Sequence, residues 1–275
     1  MRIAGKEFDT EHEVYMVGIL NVTPDSFSDG GRFAGLDQAL FQTEKMIAEG
    51  ASIIDIGGES TRPGYEKISV EEEIERVSPV IEAVKKRWDI PISLDTYKSG
   101  VAAAGISAGA DMINDIWGLR YAEDPGMAEV IATSGASCIL MHNEDTVYGK
   151  GAMDAVLAGL TESLKIARKA GIAKENIILD PGVGFAKDTE GNKEVIARSE
   201  ELLSFGCPVM MAVSRKSVIG NTLQLPVGER LEGTMALTAI GVMKGASFFR
   251  VHDVKENLRA AKMALAIRES IGGRG

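Results

Sequence analysis

The sequence predicts an α/β fold, a (β/α)8 barrel of the TIM barrel type that forms a single domain over residues 1–275. Eight short apolar runs of strand length alternate with eight helical segments, as the strand–helix units of a parallel sheet do. The alternation spans roughly 250 residues, which fits a closed barrel better than an open doubly wound sheet. No Pro- or Ser-rich linker interrupts the pattern, so a second domain is not expected.

The first strand is predicted at Met16–Leu20, an apolar run suited to a strand that is buried on both faces. Residues 1–14 carry Gly5 between short mixed segments, which indicates a small N-terminal hairpin. A helix is predicted over Leu36–Gly50, with apolar residues at helical spacing and a glycine suited to end it. The second strand, Ser52–Ile56, completes the first unit.

The helix after the second strand begins with a capping box, Ser69 followed three residues later by Glu72. Its apolar residues recur every three or four positions as far as Trp88. Pro79 lies inside this pattern, which predicts a kink or a restart of the helix. The third strand is expected at Ile90–Leu94.

The remaining units repeat this order and bring the number of strands to eight. Further strands are predicted at Met112–Ile113, Ser137–Met141, Asn176–Leu179, Pro208–Val213 and Ser247–Phe249. Helices are predicted over 101–110, 125–133, 153–171, 192–204 and 229–244, and Asp253 with Glu256 caps a final helix.

Composition argues against several classes of function. The net charge of −10 argues against general binding to nucleic acids or anionic membranes. No apolar run approaches the roughly 20 residues that span a bilayer, and residues 1–7 lack the apolar core of a signal peptide. Cys138 and Cys207 lie in apolar segments and are expected to be buried thiols, which favours a cytoplasmic location. The three histidines are too scattered to predict a zinc site.

Polar side chains follow every predicted strand at its carboxyl end. They are Asn21, Thr61, Arg62, Asp95, Asn114, His142, Asn143, Asp180, Ser214–Ser217, Arg250 and His252. Any one of them could be a helix cap or a turn residue. In a parallel barrel, however, these positions converge on one rim, where catalytic residues lie in this architecture. The whole set therefore predicts a site at that rim.

The predicted rim divides by charge. Carboxylate and amide groups would bind a flat heterocycle that has several N–H donors: Asp95, Asn114 and Asp180. Cationic groups would bind an anion: Arg62, Lys216, Arg250 and His252. Ser217 is expected to open a helical turn whose N–H groups favour an anion. Asn21 would share a hydrated Mg²⁺ with an anionic substrate.

Seven motifs, which together span nearly the whole chain, resemble those of the dihydropteroate synthase family. They are GILNVTPDSFSDGG (18–31), IDIGGESTRPG (54–64), SLDT (93–96), NDI (114–116), LDPGVGF (179–185), SRKS (214–217) and RVHD (250–253). The resemblance implies an enzyme of folate synthesis that joins 6-hydroxymethyl-7,8-dihydropterin diphosphate to p-aminobenzoate (4-aminobenzoate). The products would be 7,8-dihydropteroate and pyrophosphate.

The resemblance also implies a role for each matching position. The pterin would be held by Asp95, Asn114, Asp180 and Lys216, of which Asp95 and Lys216 are expected to be catalytic. The diphosphate would be bound by Thr61, Arg250, the Val251 segment and His252, with Mg²⁺ on Asn21. The p-aminobenzoate pocket would consist of Phe27, Pro63, Phe185, Lys216 and Ser217. The family further implies departure of diphosphate before attack of the amine, and a homodimer built through outer helices.

Two other functions are open at this point. A pterin-binding methyltransferase that uses methyltetrahydrofolate would share the heterocycle half of the rim but has no need of the cationic half. A non-catalytic pterin-binding homologue would have lost rim residues, and none is missing. One departure from the family concerns Met141-His142-Asn143, where many members continue Met-His-Met, so no function is assigned to His142 or Asn143.

The loop from Val22 to Gly31 is expected to act as a lid. It is polar, ends in two glycines and has Val22 and Phe27 as its only apolar anchors. We expect it to become ordered only with substrate, when water must be excluded.

Overall fold

Eight parallel strands form a barrel in the computed structural model, which describes residues 1–23, 31–59 and 67–272. The barrel strands are β3 (Tyr15–Asn21), β4 (Ala51–Gly57), β5 (Ile92–Asp95), β6 (Met112–Asp115), β7 (Ser137–Met141), β8 (Ile177–Asp180), β9 (Met210–Met211) and β10 (Phe248–Val251). Phe27, Thr61, Arg62, Pro63 and the central part of the predicted lid lie outside the described residues.

Helices surround the barrel in the described part of the chain. They are α1 (Gly31–Glu49), α2 (Val70–Arg87), α3 (Ser99–Ala108), α4 (Met127–Ser134), α5 (Ala152–Ala170), α6 (Thr189–Ala197), α7 (Ser217–Leu223), α8 (Leu231–Met243) and α9 (Val254–Gly272). None of these helices is long and apolar enough to cross a bilayer.

The sheet closes on itself. Its strands follow the order β8-β7-β6-β5-β4-β3-β10-β9, and every adjacent pair is parallel. A bridge between Leu179 and Val209 joins the two remaining edges, and the Leu179 N–H donates to the Pro208 carbonyl at 2.9 Å. The predicted fold class is therefore confirmed.

The predicted N-terminal hairpin is present as β1 (Arg2–Ile3) and β2 (Lys6–Glu7), which pair antiparallel. Ala4 and Gly5 turn the chain with positive φ angles of 52° and 77°, as a tight hairpin turn requires. Behind the hairpin, Ile3 and Phe8 are buried against the side chains that fill the barrel interior. The hairpin thus covers the amino-terminal end of the barrel.

Several element boundaries differ from the prediction. Pro79 lies inside α2, but the helix runs through it without a restart. The buried face of α2 packs on the barrel and consists of Val77, Val80, Ile81 and Val84. At the start of α2 the predicted cap is present, since the Ser69 hydroxyl accepts a hydrogen bond from the Glu72 N–H at 3.1 Å. The helix predicted over 192–204 is instead α6 followed by a 3-10 helix, Ser199–Phe205.

Side-chain alternation along the strands places the polar residues of the rim. An apolar layer inside the barrel includes Ile53, Met112, Ile178 and Phe248. Side chains two positions further along a strand point the same way. Those positions are Asp55, Asn114, Asp180 and Arg250, so a polar layer lies directly above the apolar one.

Candidate active site

Arg250 lies at the centre of the polar layer and pairs with two carboxylates. Its Nε donates to Asp55 Oδ2 at 2.5 Å and its Nη2 donates to Asp95 Oδ2 at 2.6 Å. Burial acts to lower the pKa of Arg250, but the two carboxylates outweigh it and raise that pKa above its ordinary value. The two bonds use two of the five N–H donors of a guanidinium, so others remain for an anion.

Asp55 and Asp95 each keep one buried oxygen that has no hydrogen-bond partner among the described residues, Oδ1 in both cases. The other oxygen of Asp55 also accepts from the Asn114 side-chain amide at 3.3 Å. Burial, with a smaller contribution from the nearby Asp55, raises the pKa of Asp95 to about 7 against the opposing effect of Arg250. Because a buried acceptor without a partner is costly, these oxygens are ready to accept N–H groups from a ligand.

Asp180 ends β8 and is also buried. Its Oδ1 accepts from the Gly182 N–H at 2.6 Å, which ties it to the turn that follows the strand. Burial raises the pKa of Asp180, while Lys216 acts in the opposite direction. Asp180 thus presents a carboxylate next to a cation.

Lys216 lies just before α7 and reaches back over the turn that follows β8. Its Nζ donates to the Val183 carbonyl and lies 4.8 Å from the centre of the Phe185 ring. Burial lowers the pKa of Lys216 to about 8, and the Asp180 carboxylate opposes that shift. The ammonium and the aromatic face together form a surface suited to a planar ligand.

The loops after β9 and β10 are joined at the rim. Ser214 Oγ lies 2.9 Å from His252 Nδ1 and accepts from the His252 N–H at 3.2 Å. Arg215 binds both oxygens of Asp253, at 3.0 Å and 2.6 Å. These bonds fix the position of His252 relative to the segment that carries Lys216.

Ser217 and Val251 lie at the edges of this arrangement. Ser217 is exposed at the first position of α7, where the sequence predicted a helical turn. Val251 is completely buried between the barrel and the helices. Its backbone is therefore the part that can face a ligand.

Asn21 ends β3 with its side chain exposed, and Gly57 separates it from Asp95. A cavity of about 270 Å³ adjoins it, between β3, α1 and His252. No group of three or more His, Cys, Asp or Glu side chains within the described ranges is arranged to hold a metal ion. A single amide oxygen nevertheless fits Mg²⁺, which keeps several waters and takes further oxygens from a phosphate.

The comparisons with known proteins agree with this geometry. A family model described as pterin binding enzyme matches residues 17–252. The dihydropteroate synthase of Clostridium beijerinckii is 54% identical to this chain, over 96% of the chain and 97% of its own length. The chain belongs to the dihydropteroate synthase family.

Solved structures of the dihydropteroate synthase family share the fold closely. The enzyme from Clostridium difficile, solved in the presence of pteroic acid, has 49% identity and a TM-score of 0.91, covering 95% of this chain and 99% of its own. The enzyme from Yersinia pestis, solved with a sulfonamide drug, has 40% identity and a TM-score of 0.90, covering 98% and 99%. The family recognised in the sequence motifs is therefore confirmed.

The structure brings together most of the rim residues predicted for a dihydropteroate synthase. Asp95, Asn114, Asp180, Lys216 and Arg250 converge in the polar layer. The sequence analysis does not predict Asp55 as a site residue, because it lies inside an apolar run that predicts a strand. The signal was available, since Asp55 shares the inward face of β4 with Ile53.

Proposed function

We propose that this protein catalyses the dihydropteroate synthase reaction. It would join 6-hydroxymethyl-7,8-dihydropterin diphosphate to 4-aminobenzoate and release pyrophosphate. The observation that carries this proposal is the arrangement of Asp55, Asp95 and Arg250, in which two unpaired carboxylate oxygens lie beside a permanent cation. One end of this arrangement suits N–H donors and the other suits an anion. The pteroic acid of the C. difficile structure joins the same two substrate parts.

The acceptor side would hold the pterin. Asp95, Asn114 and Asp180 are buried or nearly so. A carboxylate that is shielded from water strongly favours a ligand that donates hydrogen bonds to it over one that does not. Asp55 would act beside them through its free oxygen. Lys216 would cover the ring together with Phe185.

The cationic side would hold the diphosphate. Arg250 lies on β10, and His252 follows the end of that strand and lines the cavity beside Asn21. Thr61 and Arg62 keep the roles that the sequence motif and the charge pattern imply. Asn21 would hold Mg²⁺ together with the diphosphate oxygens, and the bound ion would offset negative charge on the leaving group.

The side chains of the site can stabilise both steps of the reaction, the departure of diphosphate and the attack of the amine. The bond between the pterin methylene and the diphosphate oxygen breaks, and its electron pair leaves with the diphosphate. Arg250 and His252 stabilise the departing charge, and the Asp95 carboxylate stabilises the electron-poor methylene. The amine nitrogen of 4-aminobenzoate forms the new bond and loses a proton to water. A strong general base is not required, because a cationic carbon accepts a weak nucleophile.

The amine would bind at the outer edge of the site. Phe185, Lys216 and Ser217 provide an aromatic face, a cation and a hydroxyl there. Phe27 and Pro63 keep the roles implied by the family motifs. A carboxylated aromatic amine matches these groups in both charge and shape.

Product analysis tests the function directly. The protein is mixed with the pterin diphosphate, Mg²⁺ and 4-aminobenzoate, and both pyrophosphate and 7,8-dihydropteroate are measured. We expect dihydropteroate only with all components present, and loss of pyrophosphate release when Mg²⁺ is chelated. Binding of the pterin diphosphate without pyrophosphate release would instead identify a non-catalytic homologue. Demethylation of methyltetrahydrofolate would identify a methyltransferase.

A homodimer is the assembly that we propose. Exposed apolar side chains line the neighbouring helices α8 and α9: Ile240, Met243, Met263, Ile267 and Ile271. Those on α9 are spaced four residues apart and therefore share a face. A second copy of the chain would cover this apolar face by two-fold symmetry.

Sedimentation tests the dimer. We expect Ile267→Glu to shift the protein from dimer to monomer, because it places a charge in the apolar face. Val147→Glu is the control, since Val147 is also an exposed apolar residue but lies on a loop outside α8 and α9. A monomeric wild type at working concentrations would reject the dimer. The cytoplasmic location stays a prediction.

A further inference from the structure

Lys187 is a buried lysine on the segment that follows β8. It is 8% exposed and lies behind the turn that follows β8. Its Nζ contacts the Gly182 carbonyl at 3.0 Å, the Phe185 carbonyl at 2.9 Å and His142 Nδ1 at 3.1 Å. Burial lowers the pKa of Lys187 to about 7, and the Asp180 carboxylate opposes that shift. In its charged form the ammonium has three donors, and all three are used on fixed acceptors.

Lys187 binds the carbonyls of the turn after β8, and this turn contacts two residues of the proposed active site, Asp180 and Lys216. The Gly182 N–H donates to the Asp180 carboxylate at 2.6 Å. The Val183 carbonyl accepts from Lys216 Nζ, and the Phe185 ring lies under the same ammonium. A displacement of this turn would therefore move both Asp180 and Lys216.

The turn has an unusual backbone that needs support from its surroundings. Gly182, Gly184 and Ala186 have positive φ angles of 70°, 87° and 50°. A side chain at Gly182 would come within 2.0 Å of the His142 carbonyl, so the turn is pressed against the end of β7. Ala186 has a side chain and adopts this conformation at a cost. Lys187 follows it directly and binds the carbonyls on both sides of the turn.

His142 completes the support as an acceptor. It is fully buried, and burial together with Lys187 lowers the pKa of His142 to about 3, so the ring is neutral. When Lys187 is charged, Nδ1 is the acceptor and the ring proton is on Nε2, which lies 3.5 Å from a Glu144 oxygen and has no hydrogen-bond partner among the described residues. Its backbone N–H donates to the Asp180 carbonyl at 3.0 Å. This contact is a structural role for His142, to which the sequence motifs assign no function.

We propose that Lys187 is a positioning residue which, with neutral His142 as its acceptor, fixes the turn 181–185 and through it the Asp180 carboxylate and the Lys216 ammonium. The proposal rests on the function proposed above. It assigns Lys187 to geometry rather than to contact with substrate.

Steady-state kinetics with two pairs of variants test the positioning role. We expect Lys187→Met to lower kcat/KM for the pterin diphosphate by at least about tenfold, because both contacts of the turn are disturbed. Lys169→Met removes an exposed cation from α5 and should stay within about twofold of wild type. Equal activity of the two variants would overturn the proposal.

The second pair varies the acceptor. Asn at position 142 places an oxygen near the Nδ1 position, whereas Leu has no acceptor. We expect His142→Asn to keep activity within about threefold of wild type and His142→Leu to lose at least about tenfold. Both variants replace a buried ring with a smaller side chain, so a purely structural role would affect them alike. Equal loss in both, at matched folded fractions from circular dichroism, would contradict the positioning role.

Non-additivity adds a third readout. If Lys187 and His142 act as one unit, the double variant Lys187→Met/His142→Leu should lose no more than the worse single variant. Additive losses would show two separate structural defects. If the wild type released no pyrophosphate, the proposed function would fail. The same variants would then be compared by their affinity for pteroic acid, where an unchanged affinity in Lys187→Met would overturn the positioning role.

Discussion

Asp55 and Asp95 share the guanidinium of Arg250, although the arginine lies 195 and 155 residues further along the chain. The two carboxylates lie on the adjacent strands β4 and β5, and Arg250 reaches them from β10, past the intervening strand β3. When both carboxylates are ionised, the single cation between them leaves a net negative charge in a buried place. That charge would favour a substrate that becomes positive as its diphosphate departs.

Removal of the shared cation should affect both stability and turnover. Arg250→Met leaves Asp55 and Asp95 without their partner, and an unpaired buried charge costs about 3–5 kcal/mol of folding free energy. We expect a lower Tm by calorimetry and a fall in kcat of at least about a hundredfold from the lost diphosphate contact. Arg168→Met on the exposed side of α5 serves as the control. A normal Tm would show that the pairing contributes little to folding.

The raised pKa of Asp95 predicts an acid limb in the pH profile. Since burial raises this pKa to about 7, the folded protein holds the proton more tightly than an unfolded chain does. The carboxylate that stabilises the methylene is therefore formed only as the pH rises through about 7. We expect kcat/KM to increase over that range. In Asp95→Asn, whose amide does not titrate, the residual activity should lack this limb, and an unchanged limb would assign it to another group.

Asp95 and Lys216 should each be needed for full turnover at saturating substrate. Asp95→Ala removes the charge beside the methylene, and Lys216→Ala removes the ammonium near Asp180. We expect kcat to fall by at least about tenfold in each, as loss of electrostatic stabilisation in the transition state does. Single-turnover measurement of pyrophosphate separates chemistry from product release. Unchanged turnover in both variants would reject the assigned mechanism.

The sequence predicted the barrel well because strand–helix alternation is a local pattern. Asp95, Asn114 and Asp180 were found for the same reason, since each is the first polar residue after an apolar run. Lys187 was not found, because its partner His142 lies 45 residues away and only the fold brings them together. Strand lengths were also missed: β9 pairs over two residues of the predicted Pro208–Val213 run. The extent of pairing depends on the neighbouring strands rather than on the run itself.

A second buried network should contribute mainly to stability. Lys98 Nζ lies 2.7 Å from oxygens of both Glu59 and Glu73, and the three side chains are largely buried. Burial raises the pKa of Glu73 against the effect of Lys98, so loss of the lysine should leave a charge that is costly to keep. We expect Lys98→Met to lower the free energy of unfolding by about 3–5 kcal/mol.

Urea denaturation measures the effect of Lys98→Met. Lys86→Met is the control, because Lys86 is exposed at the end of α2. Adding Glu59→Gln and Glu73→Gln to Lys98→Met removes the unpaired charges and should restore part of the stability. A variant as stable as wild type would show that water compensates the carboxylates.

Asn21 provides the test of the proposed Mg²⁺ site. If its amide oxygen holds the ion with the diphosphate, Asn21→Ala should raise the Mg²⁺ concentration for half-maximal activity by about tenfold, since one ligand is lost. The KM for 4-aminobenzoate should stay the same, because the residues assigned to the amine pocket do not include Asn21. Gln38→Ala removes a similar amide from the wall of the same cavity and should leave the Mg²⁺ dependence unchanged. Equal shifts in the two variants would mean that the cavity, and not Asn21 itself, governs the dependence on Mg²⁺.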